Sequence, residues 1–160
     1  MLNKIALTVA TFFGAGLSPK APGTIGSLAT LPLAFLMAYF FGRNGIMFAA
    51  IISFSIGVWA TNQLTKNSDE KDPSKVVIDE TAGQLMSFVL VAPYLQNNLS
   101  AKTFIIYLLG FGLFRLFDIV KTGPVKWADT KIKNAWGVML DDVFAGIFAA
   151  IVLMFIANRI

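Results

Sequence analysis

Residues 21–42 read APGTIGSLATLPLAFLMAYFFG and residues 44–65 read NGIMFAAIISFSIGVWATNQLT, and neither stretch carries a charged side chain. A third uncharged stretch covers residues 81–101. A helix needs about 20 apolar residues to cross the hydrocarbon core of a bilayer. With two shorter apolar runs that follow, the pattern predicts five membrane-spanning helices, at about residues 27–42, 46–64, 81–95, 104–120 and 143–159.

The composition of the whole chain is typical of a membrane protein. Its 160 residues are 56% hydrophobic and only 14% charged, whereas soluble domains carry about 25% charged residues. We predict one all-α domain over residues 1–160, a polytopic membrane helix bundle of about five transmembrane helices with an N-terminal interfacial helix or loop. Because the chain has no cysteine and no histidine, disulfides, thiolate nucleophiles, Cys/His zinc sites and histidine catalysis are excluded.

Basic residues are distributed unevenly between the predicted loops. The N-terminal side of the bundle carries nine lysines, namely Lys4, Lys20, Lys66, Lys71, Lys75, Lys121, Lys126, Lys131 and Lys133. The opposite side carries three basic residues, namely Arg43, Lys102 and Arg159. Because loops rich in lysine and arginine stay in the cytoplasm, we expect the N-terminus and both long loops to face the cytoplasm and the C-terminus to face outward.

Acidic residues are concentrated on the same predicted side. Asp79 and Glu80 are placed where the third span begins, and Asp141 and Asp142 where the fifth begins. Acids at a helix start are favoured by the helix dipole, which would make these residues N-caps only. Adjacent carboxylates also suit Mg²⁺, which prefers hard oxygen ligands. Three other acids are expected to be ordinary solvated surface: Asp69, Glu70 and Asp129.

Three charged residues occur at the end of the fourth predicted span. Arg115, Asp118 and Lys121 are spaced i, i+3, i+6, so they share one helical face. A charge inside a membrane helix costs roughly 2.5–3.5 kcal/mol on insertion scales and marks a functional site by default. The two basic side chains are long enough to reach the interface, whereas Asp118 requires a partner or a metal ion.

A glycine-rich segment, GAGLSPKAPGTIGS at residues 14–27, precedes the first predicted span. Glycines allow a close approach of the backbone, and a loop before a helix N-terminus can hold an anion through its N–H groups. The alternative is an ordinary turn, in which Thr24 and Ser27 cap the first span. The candidate anion-binding residues of this segment are Gly14, Gly16, Ser18, Gly23, Thr24, Gly26 and Ser27.

These features are expected to meet at the inner surface of the membrane. Carboxylates bind a divalent metal ion, and metal, backbone N–H groups and cations bind a phosphate, so a lipid phosphate is the natural ligand. Routes through phosphocysteine or phosphohistidine are closed, and no Asp-x-Asp-x-Thr segment is present. The remaining chemistry is attack by a metal-activated water with assistance from a carboxylate.

In four blocks the chain resembles the phosphatidylglycerophosphatase A family. The blocks lie within residues 14–27, 77–83, 114–121 and 137–146, in the order and spacing of the family. Two short segments depart from the family pattern. Thr122-Gly123-Pro124 stands where the family usually has Pro-x-Pro, and Asn134-Ala135-Trp136 stands where it usually has a Gly-Gly pair.

The resemblance implies a bacterial inner-membrane enzyme that removes the terminal phosphate of phosphatidylglycerophosphate with Mg²⁺, yielding phosphatidylglycerol and inorganic phosphate. It implies catalytic and metal-binding roles for Asp79, Glu80, Asp118, Asp141 and Asp142, and phosphate binding by Arg115 and Lys121. We give the general-base role to Asp79 or Glu80. The expected partners are the lipid substrate and the bilayer, with no nucleic acid and no protein partner inferred.

Two other functions remain as alternatives. One is another metal-dependent phospholipid headgroup enzyme, although the Asp-x2-Asp-Gly-x2-Ala-Arg run of CDP-alcohol phosphatidyltransferases is absent. The other is a small metal or ion transporter, which would need acids at mid-membrane depth and on both faces, whereas the outward loops have none. The clustered carboxylates make a non-enzymatic scaffold the least favoured reading.

Overall fold

The computed structural model describes residues 2–66 and 73–160. Within these ranges the chain is helical and contains no strand, which confirms the all-α prediction. The α-helices are α1 (Leu2–Ala10), α2 (Pro22–Thr65), α3 (Ile78–Phe88), α4 (Ala92–Leu95), α5 (Ala101–Val120), α6 (Pro124–Lys131) and α7 (Ala135–Ala157). One 3₁₀ turn, Ala15–Leu17, lies between α1 and α2.

The long helix α2 folds back on itself at Gly42. The backbone there has φ +58° and ψ −143°, which is outside the helical region and is accessible to glycine because it has no Cβ. Leu33 from the first arm (residues 22–41) and Ile52 from the second arm (residues 43–65) line the same cavity, so the arms run side by side. The two arms correspond to the predicted spans at 27–42 and 46–64.

Three of the described helices are long and apolar enough to cross a membrane, namely α2, α5 and α7. Large apolar side chains are exposed along them, including Phe48, Phe104 and Phe155. Exposed apolar surface of this extent marks contact with another apolar phase, and a bilayer provides one. The helix predicted at 104–120 is confirmed as α5.

The predicted span at 81–95 is wrong as a single helix. Helix α3 ends at Phe88, and the four-residue α4 follows after a turn, with Pro93 at its start. Eleven residues rise only about 16 Å, roughly half of a bilayer core. Helix α3 packs against α2, α5 and α7, and most of its residues are buried. The uncharged sequence of residues 81–95 therefore reflects burial inside the protein.

The helix starts also differ from prediction. Helix α7 begins at Ala135, and the side chain of Asn134 caps it by accepting a hydrogen bond from the Trp136 N–H. The predicted start at residue 143 is wrong, and Asp141 and Asp142 lie inside the helix, so neither is an N-cap. At α2 the N-cap is Ala21. Thr24 and Ser27 are therefore not caps; the Ser27 hydroxyl donates to the Gly23 carbonyl.

The predicted N-terminal helix is present as α1. Its small residues Ala6 and Ala10 are fully buried and pack with Ala60 of α2 and Met139 of α7. The Val77 N–H donates to the Ala10 carbonyl at 2.8 Å. These contacts hold α1 against the segment that leads into α3. We call this end of the bundle, which carries α1, the start of α3 and the end of α5, the site end.

Candidate active site

The site begins with the crossing of α3 and α7, which is close because both helices have a glycine there. A Cβ added at Gly83 would lie 2.5 Å from the carbonyl oxygen of Asp142, and one added at Gly146 would collide with the carbonyl oxygen of Gly83. Real Cβ atoms do not approach so closely, so only glycine permits this backbone contact. The crossing places Asp79 and Glu80, in the first turn of α3, beside Asp142 of α7.

Three carboxylates form a compact acidic cluster. Asp79, Glu80 and Asp142 each offer an oxygen, and these oxygens all lie within 4.8 Å of one another. Asp142 is 3% exposed. Its Oδ2 and the Oε2 of Glu80 are buried and have no hydrogen-bond partner among the described residues. Buried polar atoms are normally paired, so these two oxygens suit a divalent cation with oxygen ligands.

Arg115 links three helices next to the acidic cluster. On α5 its Nη1 lies 2.6 Å from Oδ2 of Asp118, one turn further along. The same nitrogen lies 3.7 Å from Oε1 of Glu80 on α3 and donates to the Ser27 hydroxyl of α2 at 3.4 Å. The i, i+3 spacing seen in the sequence is therefore an ion pair, and it holds the guanidinium facing the acids of α3.

Lys121 provides the second cation. It follows α5 with φ +44°, and its Nζ lies 2.8 Å from Oδ1 of Asp129 and 2.7 Å from Oδ2 of Asp141. Burial lowers the pKa of Lys121, but the hydrogen bonds to Asp129 and Asp141 and their negative charges outweigh it, so the pKa rises above its ordinary value. The ammonium therefore remains charged throughout the physiological pH range.

A cavity of about 390 Å³ joins these groups. Its lining contains all five predicted carboxylates and both predicted cations: Asp79, Glu80, Asp118, Asp141, Asp142, Arg115 and Lys121. Carboxylates outnumber cations in this lining, so a phosphate would be repelled unless additional positive charge were bound. A divalent cation at the acidic cluster supplies that charge, and its ligands would be oxygens because the chain has neither cysteine nor histidine.

Only part of the predicted glycine-rich segment reaches the cavity. Ala21, Pro22, Gly23 and Thr24 line it. A Cβ at Gly23 would collide with Oε1 of Glu80 and would lie 3.3 Å from Nη1 of Arg115. Of the predicted residues in this segment, Gly23 and Thr24 therefore lie at the site, and Ser27 contacts it through Arg115.

The other members of that segment lie away from the cavity. Gly16 and Gly26 pack closely, since a Cβ at Gly16 would collide with the Lys75 carbonyl oxygen and one at Gly26 would lie 2.7 Å from Cβ of Val77. Gly14 has φ +98° with open space around it. The Ser18 hydroxyl donates to the Lys20 carbonyl. Phosphate binding by Gly14, Gly16, Ser18 and Gly26 stays a prediction without a contact to support it.

One residue of the site was missed from the sequence. Asp129 was expected to be plain solvated surface, yet it forms an ion pair with Lys121. A signal was available, because Asp129 is the only acidic residue in the lysine-rich segment 121–140. The predictions for Asp69 and Glu70 fall outside the described residues.

Comparison with known proteins adds an independent finding. Residues 8–157 match the family described as Phosphatidylglycerophosphatase A. The chain is 34% identical to the Phosphatidylglycerophosphatase A of Escherichia coli (strain K12) over 94% of its own length and 83% of that protein. The corresponding protein of Haemophilus influenzae is 35% identical over 96% of this chain and 88% of the relative.

A third relative has a different name. It is the "Putative phosphatidylinositol-3-phosphatase" of Bacteroides thetaiotaomicron, which is 33% identical over 93% of this chain and 91% of the relative. No solved structure matches the chain. The similarities cover all four blocks of residues from which the family was inferred.

Proposed function

The chain belongs to the phosphatidylglycerophosphatase A family, and from this premise we propose that it hydrolyses the terminal phosphate of phosphatidylglycerophosphate in the cavity with the help of Mg²⁺. Membership makes it a phosphoric monoester hydrolase acting on phospholipids. The products are phosphatidylglycerol and inorganic phosphate. One observation carries the Mg²⁺ part of the proposal: the acidic cluster of Asp79, Glu80 and Asp142, in which Oε2 of Glu80 and Oδ2 of Asp142 are buried without a hydrogen-bond partner among the described residues.

Asp79 and Asp142 would hold the metal ion, with Glu80 beside it. Their donors are all hard oxygens, the ligand set that Mg²⁺ prefers. A divalent cation bound there would polarise the phosphoryl group and lower the pKa of a water molecule. The low exposure of Asp142 keeps bulk solvent from its carboxylate, which strengthens its interaction with positive charge.

The cations of the site would hold the phosphate. Arg115 has several N–H donors in a planar fork and uses Nη1 for Asp118, which leaves other donors for phosphate oxygens. Asp118 and Asp141 then serve chiefly to orient Arg115 and Lys121, through ion pairs of 2.6 and 2.7 Å. Fewer acids would therefore bind the metal ion than the sequence predicted, since all five were predicted to be metal ligands.

The general base would be Glu80. It lines the cavity, and its Oε2 accepts no hydrogen bond from the described residues. Oε1 faces Arg115. In contrast, Oδ1 of Asp79 accepts the Glu80 N–H at 3.0 Å. A proton from the attacking water would pass to Oε2 of Glu80 as the water oxygen bonds to phosphorus. The phosphorus–oxygen bond to the glycerol would break, and that oxygen would take a proton from solvent to leave as the alcohol of the product, while Glu80 returns its proton to solvent.

The direct test uses purified protein in detergent micelles with phosphatidylglycerophosphate. We expect phosphate release with Mg²⁺ and none after chelation, and its recovery when Mg²⁺ is added back. Asp118→Asn and Asp142→Asn should lose most activity, while Lys131→Gln, an exposed change on α6, serves as the matched control. Full activity in chelator or in Asp142→Asn would remove the metal site from the mechanism, and full activity in Asp118→Asn would remove the role given to Asp118.

A second lipid substrate is suggested by the name of the Bacteroides relative. The same assay with a phosphatidylinositol monophosphate would show whether the inositol headgroup is accepted. The transporter alternative predicts metal flux into liposomes without phosphate release, so one preparation can separate these functions.

We propose further that the protein spans the bacterial inner membrane several times with the site facing the cytoplasm. The support is the excess of lysines on the site end. Because the chain has no cysteine, single-cysteine variants report position without background. We expect Lys75→Cys in inverted vesicles and Leu99→Cys in intact spheroplasts to react with an impermeant maleimide. The reverse labelling pattern would overturn the orientation.

A further inference from the structure

Lys121 is held by two carboxylates that belong to different helices. Asp129 lies on α6 and Asp141 on α7, and their oxygens lie 2.8 and 2.7 Å from the Nζ of Lys121. An ammonium group has three N–H donors. Two of them are used by these contacts, so one remains for a ligand in the cavity that Lys121 lines.

Asp129 does not line that cavity. Its side chain is 36% exposed, against 6% for Asp141. The helix that carries it is nevertheless firmly placed, because Val125, one turn before Asp129, and Ala128 are fully buried. Val125 packs with Phe114 of α5 in one apolar cluster. Asp129 is therefore a fixed anchor outside the reaction space.

We propose that Asp129 is a positioning residue for Lys121: it holds the ammonium at the mouth of the cavity so that the third N–H donor meets a phosphate oxygen of the substrate. This inference rests on the proposed function. With Asp129 present, two anchors on separate helices fix the position of Nζ. With Asp129 absent, Asp141 alone holds the ammonium, which then swings about one contact and lies deeper, against the acids of α7.

The proposal makes Asp129 act only through Lys121. The test is a double-mutant cycle with Asp129→Asn, Lys121→Met and the combined variant, assayed as full-length protein on phosphatidylglycerophosphate in micelles. We expect Asp129→Asn to raise KM about three- to tenfold with little change in kcat. This pattern is expected because the variant weakens one charge-assisted contact that is equally strong to the substrate and to the transition state. In the Lys121→Met background the same change should have no further effect.

Two additional variants separate positioning from folding. Asp129→Glu keeps the charge and should restore KM to within about twofold of the wild-type value, because a longer carboxylate can still reach the ammonium. Lys131→Gln on the same helix should leave KM unchanged. Thermal unfolding in detergent is measured for every variant, and Asp129→Asn should unfold close to the wild type because the side chain is partly exposed.

The outcomes distinguish this inference from the proposed function. If the wild type releases phosphate but Asp129→Asn has the wild-type KM, the positioning role is wrong while the function stands. Equal losses from Asp129→Asn with and without Lys121 would likewise overturn it, since Asp129 would then act independently. If the wild type releases no phosphate from this lipid, the proposed function fails first.

Discussion

The two acid pairs of the site look alike in sequence but are supported in different ways. Asp79-Glu80 is followed by glycine at position 83, and Asp141-Asp142 by glycine at position 146. The first pair occupies the first turn of α3, where the helix dipole favours negative charge. The second pair lies inside α7, which begins at Ala135, so the N-terminal N–H groups are too far away to stabilise it.

This difference means that the second pair lacks the support of a helix start. Asp141 is compensated by Lys121, whereas Asp142 is buried and its Oδ2 has no hydrogen-bond partner in the described part of the chain. A buried carboxylate without compensation destabilises a fold, so its presence in the middle of a helix points to binding. Acids at a helix start are common without any ligand, and the first pair alone would indicate much less.

The largest expected effect is that of Asp142→Asn. We expect a loss of at least about a hundredfold in kcat/KM, since even outer partners of metal ligands are worth up to that in metal affinity or activity. In the absence of metal the variant should unfold at the same or a higher temperature, because a buried charge is removed. Saturating Mg²⁺ stabilises a protein by about 2.7 kcal/mol at a hundred times its Kd, so a thermal shift should occur in the wild type only.

A contrary result for Asp142 would be informative. If Asp142→Asn lowered the unfolding temperature without metal and left the Mg²⁺ shift intact, the second pair would be structural. The comparison between the pairs would then lose its basis. Asp129→Asn provides a control, because it removes a carboxylate at the site end and leaves the acidic cluster unchanged.

The next effect is expected at the helix crossing that brings the pairs together. Gly83→Ala should destabilise the protein by about 1–3 kcal/mol, the usual cost of overpacking, because the new Cβ would lie 2.5 Å from the Asp142 carbonyl oxygen. Activity should fall as the pairs separate. Chemical or thermal unfolding in detergent, together with phosphate release, measures both effects.

The matched control is Gly112→Ala. Gly112 is also helical, in α5, and nothing lies within 4 Å of a Cβ added there. Alanine is favoured over glycine in a helix by roughly 0.5–1 kcal/mol, so this variant should be as stable as the wild type or slightly more stable. Similar losses at both glycines would mean that the close crossing is not what holds the two acid pairs together.

The smallest effect is expected for a change in the first pair, measured as the free energy of unfolding. Asp79→Asn should lower the free energy of unfolding by about 0.3–1 kcal/mol in metal-free protein, the range for a charge at a helix N-terminus. Its sign is opposite to that expected for Asp142→Asn. Unfolding of the two variants side by side, without metal, measures the contrast; a stabilised Asp79→Asn would contradict it.

Much of the fold could be predicted because it depends on local pattern. The uncharged runs at residues 21–42 and 44–65 predicted two spans, and they form the two arms of α2. The error at 81–95 has a physical cause, since burial against protein and burial in lipid select the same apolar residues. The early start of α7 was missed because residues 135–142 include two acids, which lower the hydropathy of this segment, and the spans were predicted from hydropathy.

Most residues that line the cavity were predicted from the sequence as site residues, although their partners were not. Arg115 and Asp118 were correctly placed on one face of a helix, because i, i+3 spacing determines that geometry. Asp129 was misjudged because its role depends on how α6 packs, and a sequence does not state which helices become neighbours. The same limit applies to Gly16 and Gly26, which serve helix packing and lie away from the cavity.

The sequence by itself determined the all-helical membrane character, the exclusion of cysteine and histidine chemistry, and the family, because composition, hydrophobic run length and motif spacing are properties of the chain alone. Only the tertiary structure decided which carboxylates meet and which are neutralised by Arg115 and Lys121. The physical reason is that a carboxylate's chemistry depends on groups a few ångströms away. Here those groups come from α3, α5, α6 and α7, and the closest approach, between α3 and α7, is possible because Gly83 and Gly146 let two backbones touch.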